Sequence, residues 1–175
     1  MAANRPISRY FRPYNANPWN KYIPDCAVRA VSLAINMPYV DVCRKMGVSF
    51  KTGHGLIRNT GLYLEMVKSA FDEYFDIVVD FDETLPEGEI PEIDVDTAAL
   101  FDEEGDMPVN TEINLSEWML LNKGSGLYVV GLHNPENANE GHLVCASTVT
   151  MKFFDTWDCS DYKVDAWMRV KKREA

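Results

Sequence analysis

The fourteen residues PDCAVRAVSLAINM, 24–37, are the stretch on which the reading of the fold turns. Past an entry at Pro24 and Asp25, only Arg29, Ser32 and Asn36 are strongly polar. A segment apolar on most sides is predicted to be a helix packed inside a domain. Asp25 is placed to cap free N–H groups of the first turn, which sets Cys26 at the positive end of the helix dipole. A thiol in that position has its thiolate favoured, so Cys26 is the candidate nucleophile.

Working outward, a second helix is expected after Pro38, with Val42, Cys43 and Met46 apolar and Gly47 ending it. Residues 61–75 predict a third, on a stripe of Leu62, Met66, Ala70 and Tyr74 widened by Val67 and Phe71. IVVDF at 77–81 reads as a strand. Asn114 or Ser116 is placed to cap a short helix through Trp118 to Leu121, stopped by Gly124. The last third changes character. Residues 126–132, 142–149 and 152–157 are rich in β-formers and are expected as consecutive antiparallel strands, with a final strand between Tyr162 and Val170. Helices first and a sheet afterwards predict an α+β fold, a single domain over 1–175.

Composition bounds the rest. A chain of 175 residues with 46% apolar content can bury a real core, which excludes a disordered or collagen-like protein. Charged or polar residues interrupt every apolar run, so no membrane span is expected. The first 22 residues lack the apolar core of a secretory signal and read as an irregular arm. Four cysteines, Cys26, Cys43, Cys145 and Cys159, are few for a chain of this size and are read as reduced thiols, hence a cytoplasmic setting. There is no CxxC pair, and His54, His133 and His142 stand at no zinc-ligand spacing. Net charge is −10, but seventeen acids and no base lie between Asp72 and Glu117. The chain is therefore a basic body carrying an acidic insertion, read as a loop over 80–112.

His142, behind Gly141 on a predicted strand, is the candidate base for Cys26, and the glycine permits close approach of the backbone there. Asp155 ends the next strand and would lie beside His142 across an antiparallel pair, able to orient its ring; Asp158 is the alternative. DCAVRAV at 25–31, GLYVVGL with GHLVCA at 141–146, and FDTWDCS at 154–160 resemble the papain-like cysteine peptidases, in particular small divergent members often encoded by bacteriophages and bacteria. The resemblance covers about half the chain in three blocks. It implies a nucleophile helix packed on a C-terminal antiparallel sheet, with Cys26, His142 and Asp155 as triad. It also implies an oxyanion donor six residues before the nucleophile, where the family's Gln is replaced by Asn20. The longer family signature around the nucleophile is absent.

The expected chemistry is a cysteine hydrolase working through a thioester, which needs neither metal nor organic cofactor. A peptidase is what the resemblance implies, but the same triad serves deamidases, amidases and acyl transferases. The substrate would be a protein or peptide, in the host cytoplasm if the gene is a phage's, with neither nucleic acid nor membrane as partner. A reading of a different class is a noncatalytic protein whose acidic segment engages a basic partner. Cys43 and Cys145 read as inert core thiols and Cys159 as structural. His54 and His133 read as loop residues, either able to touch substrate, and Trp157 as a shield for the His142–Asp155 bond.

Overall fold

The computed structural model describes residues 7–80 and 113–172. The acidic segment assigned to 80–112 therefore lies outside the described residues, except for Asp80. The described chain forms four helices and a six-stranded mixed sheet, an α+β arrangement. The helices are α1 (Cys26–Ile35), α2 (Tyr39–Met46), α3 (Thr60–Ala70) and α4 (Leu115–Leu121). The strands are β1 (Phe11–Pro13), β2 (Val79–Asp80), β3 (Leu127–Asn134), β4 (Asn137–Ser147), β5 (Lys152–Asp155) and β6 (Lys163–Arg169), in the sheet order β1-β5-β4-β3-β6-β2. No single described helix is long and apolar enough to cross a membrane.

Strand alternation divides the core in two. Leu143 and Cys145 of β4 and Val129 of β3 face α1, α2 and α3, whereas Val144, Ala146, Val130 and Leu132 join Trp118 and Met119 of α4 on the other face. Helix α1 is buried along most of its length because its contact residues are small: Ala27, Ala30 and Ala34 let the backbone sit close to the sheet, with Val28 and Val31 filling between. Each fully buried Val contributes about 1.5–3 kcal/mol relative to exposure. Gly131 and Gly141 let α3 press onto the sheet, since a Cβ at either would lie 2.8 Å from a side-chain atom of Thr60.

Several expectations change. The N-terminal arm is not wholly irregular, because Phe11–Pro13 pairs in parallel with β5. In α3 the buried residues are Thr60, Leu64 and Val67, followed by Phe71, while Leu62 is 69% and Met66 49% exposed. The spacing of the stripe was helical but its phase was displaced, because Thr60 is the residue small enough to meet the two sheet glycines. Of the strand expected at 77–81, the described residues include Val79–Asp80, paired with β6, while Phe81 lies outside them, and the final strand β6 pairs with β3. Asp25 precedes α1 but makes no side-chain cap hydrogen bond; side-chain caps are found at α3, where Asn59 accepts from the Leu62 N–H, and at α4, where Asn114 and Glu117 form a reciprocal capping box.

Candidate active site

The site forms where the β4–β5 ladder opens. These strands pair from Ser147↔Lys152 to Cys145↔Phe154, and β5 ends one residue later at Asp155. Past that point the Leu143 N–H finds no β5 carbonyl and donates instead to Cys26 Sγ, 3.4 Å away. The N-terminus of α1 thus reaches the gap with its first residue.

His142 and Asp155 lie on one face of this strand pair, close to the diagonal relation in which cross-strand side chains touch. His142 Nε2 is 2.5 Å from Asp155 Oδ2, both side chains being buried. That leaves Nδ1 as the ring nitrogen free for the thiol, and Cys26 and His142 line the same cleft, close enough for their charges to couple. Burial pushes the Cys26 thiol up, but His142, with a smaller contribution from His54, outweighs it and lowers the thiol to about 6. Burial likewise opposes the His142 imidazolium, yet the Cys26 thiolate and Asp155 hold its pKa well above the usual 6.5. The two shifts describe one coupled pair, which favours thiolate and imidazolium together near neutral pH. Trp157 covers the imidazole with ring centroids 4.9 Å apart, and Tyr162 stands 6.3 Å away in an edge-on arrangement.

Asp155 is saturated. Its Oδ1 accepts from Arg29 Nη1 at 2.8 Å and from the Thr156 N–H at 2.7 Å, while Oδ2 takes the His142 bond and the Cys159 thiol at 3.5 Å. Burial raises the Asp155 carboxyl, but His142 and Arg29 overcome it and hold the pKa below the ordinary value. Cys159, itself buried and beside the Asp155 charge, is pushed up to about 12, so it is a neutral thiol donor. His142, Asp155 and Cys159 place potential metal-ligand atoms within 4.8 Å of one another. The direct 2.5 Å bond between two of them makes this a closed hydrogen-bonded cluster.

Arg29 links this cluster to a second buried carboxylate. Its Nε donates to Asp25 Oδ1 at 2.7 Å, and Asp25 Oδ2 accepts from Tyr39 Oη at 2.6 Å and Asn17 Nδ2 at 3.0 Å. Here lies the reason that Asp25 caps nothing: its carboxylate is turned into the protein to meet an arginine one helical turn away. Arg29 thereby ties α1 to the end of β5.

His54 stands on the other side of the sulfur. Its Nε2 is 3.8 Å from Cys26 Sγ and accepts the Ala27 N–H at 3.1 Å, while Nδ1 donates to the Gly55 carbonyl at 2.8 Å. These two bonds fix the orientation of the ring beside the sulfur. The loop that presents it is locked onto α1: the His54 N–H donates to Pro24 O at 2.8 Å, and any Cβ at Gly53 would collide with that same carbonyl.

The structure thus brings Cys26, His142 and Asp155 together. It does not bring Asn20 to them: this residue is exposed, adopts a left-handed backbone (φ 54), accepts a side-chain bond from Asn15 and is not among the residues lining the cleft. Asp158 is not the orienter, as its carboxylate takes the N–H groups of Ser8 and Ser160. His133 is no loop residue but a buried side chain on β3, bonded to Asp165. Arg29 was visible only as a polar interruption in an apolar helix, and that interruption was the signal that it has a buried partner. A cleft of about 370 Å3 lies over the sulfur, walled by Tyr22 to Cys26, by His54 to Ile57, and by Glu140 to His142 with Trp157. No family model, curated protein or solved structure matches the chain.

Proposed function

We propose that the protein is a papain-like cysteine hydrolase, with Cys26 as nucleophile, His142 as acid and base, and Asp155 as the group that orients His142. The observation that carries this reading is the 2.5 Å His142–Asp155 bond beside a helix-terminal thiol lowered to about 6. The thiolate attacks an amide or ester carbonyl, and the Cys26 backbone N–H, one of those a helix start leaves unpaired inside the helix, faces the developing oxyanion. The His142 imidazolium protonates the leaving group, and water activated by neutral His142 then resolves the thioester. Asp155 keeps Nε2 protonated, so Nδ1 is the atom that carries the travelling proton. Resemblance to the papain-like peptidases makes the peptide bond the reference substrate.

Burial argues against a merely convenient arrangement. An ion pair in a site this enclosed is costly unless its charges are fully partnered, and Arg29, Thr156 and Cys159 complete that partnering at Asp155. The test is alkylation of Cys26 by iodoacetamide near neutral pH. Selective labelling that is lost in Cys26→Ala and strongly slowed in His142→Ala supports the hydrolase. No selective labelling, together with salt-sensitive binding to a basic protein that disappears when 80–112 is deleted, favours the noncatalytic binding protein instead.

A further inference from the structure

An enzyme that cleaves within a polypeptide commonly holds its substrate as an added strand, through main-chain donors and acceptors left free beside the nucleophile. Around Cys26 several of those groups are already paired within the chain. The Gly141 N–H donates to Ile57 O at 2.7 Å, a backbone bond joining the two walls of the cleft one residue before His142. The approach is so close that a Cβ at Gly141 would lie 2.5 Å from that oxygen. On the same wall Gly55 O is taken by His54 Nδ1, and the His54 N–H is spent on Pro24 O. On the helix the Ala27 N–H is held by His54 Nε2; on β4 the Leu143 N–H is held by the sulfur itself. Trp157, which lines the same cleft, has its ring centroid 4.9 Å from that of His142. The whole cleft, about 370 Å3, is at the small end of ligand sites.

We propose that the substrate is a primary carboxamide carried on a side chain or a small molecule, not the backbone of an extended peptide. This rests on the hydrolase reading above and narrows it. A compact acyl group needs only to reach the sulfur, whereas an extended chain would compete with the Gly141–Ile57 bond and find few partners to replace those it breaks. Ammonia is also the smallest leaving group that an amide can supply in a cleft of this size. The Cys26 thiolate adds to the carboxamide carbon, forming C–S. The C–N bond breaks, and the nitrogen leaves as ammonia with the proton from His142. Water then attacks the thioester, giving one proton to His142 and its oxygen to the carbon. The C–S bond breaks, releasing the carboxylic acid and restoring the thiolate. The net change is carboxamide plus water to acid plus ammonia.

The experiment runs three measurements on the full chain: iodoacetamide labelling of Cys26, ammonia release from blocked glutamine and blocked asparagine, and internal cleavage of an extended peptide library. Labelling with ammonia release that vanishes in Cys26→Ala, at a rate constant at least about tenfold above any peptide cleavage, is the result expected. Cys26-dependent internal cleavage that equals or exceeds ammonia release overturns the substrate assignment and leaves the hydrolase standing. A Cys26 that labels selectively but turns over neither class also overturns the assignment. Failure of Cys26 to label is the separate outcome that removes the hydrolase reading and this inference together.

Discussion

Replacing His142 by Ala tests the electrostatics on which the site depends. In the intact protein the Cys26 thiol ionises at about 6 rather than at its ordinary 9.0, a bias toward the thiolate on the order of 4 kcal/mol. Burial works against that bias, and His142 supplies most of what overcomes it. With the imidazole gone, burial, the largest influence on the thiol, is opposed only by the weaker pull of His54, and the inflection is expected to rise to its ordinary 9.0 or above. At pH 7 the thiolate fraction then falls from about nine-tenths to about one-hundredth or less. The ultraviolet absorbance of the thiolate, followed from pH 4 to 10, reads this directly. Other thiols do not obscure it, since Cys145 and Cys159 are pushed up to about 12 and Cys43 is raised as well. Alkylation rate alone is the poorer assay, because a thiolate of higher pKa is intrinsically more nucleophilic and masks part of the loss. An inflection still near 6 in a folded His142→Ala variant would refute the reasoning.

Further outcomes follow from the same geometry. Arg29→Met leaves the buried carboxylates of Asp25 and Asp155 short of their shared cation; a loss of about 3–5 kcal/mol is expected in urea unfolding, and a loss below about 1 kcal/mol would show that Arg29 is not their counterion. Asp155 has a depressed pKa in the folded state, so its contribution to stability is complete above its unfolded value and drains away as pH falls through the folded one. Asp155→Asn should therefore unfold with a shallower dependence on pH below about 4 than the parent; parallel acid limbs in the two proteins would contradict this. Gly53→Ala and Gly47→Ala share the strain of a positive φ, but only the first meets the Pro24 carbonyl, while Gly47 has nothing within 4 Å. Thermal melts should show Gly47→Ala losing about 1 kcal/mol and Gly53→Ala clearly more, with equal losses arguing against a loop locked onto α1.

Much of the architecture could be read from local pattern because local pattern causes it. An apolar run after Pro24 has few alternatives to a buried helix, and Gly47 ends α2 in the left-handed conformation that a glycine adopts without strain. Runs of β-branched and aromatic residues near the C-terminus form strands β3 to β6 because such side chains fit a pleated surface. Strand register even carried Asp155 to the neighbourhood of His142, since pairing across a short turn is a local matter. Face assignment was not local. The phase of α3 depended on which residue could tolerate two glycines of the sheet, a fact located some seventy residues away.

By itself, then, the order of residues determined the helical and extended segments, the placement of a thiol at a helix start, and the adjacency of an imidazole to a carboxylate. Tertiary structure alone decided what surrounds them. It set Arg29 between two buried acids, turned Asp25 inward and away from the helix end, brought His54 to the sulfur and left Asn20 outside the cleft. The physical reason is that a charge or lone pair chooses its partner by distance and burial, and both arise only when segments far apart in the chain are packed together.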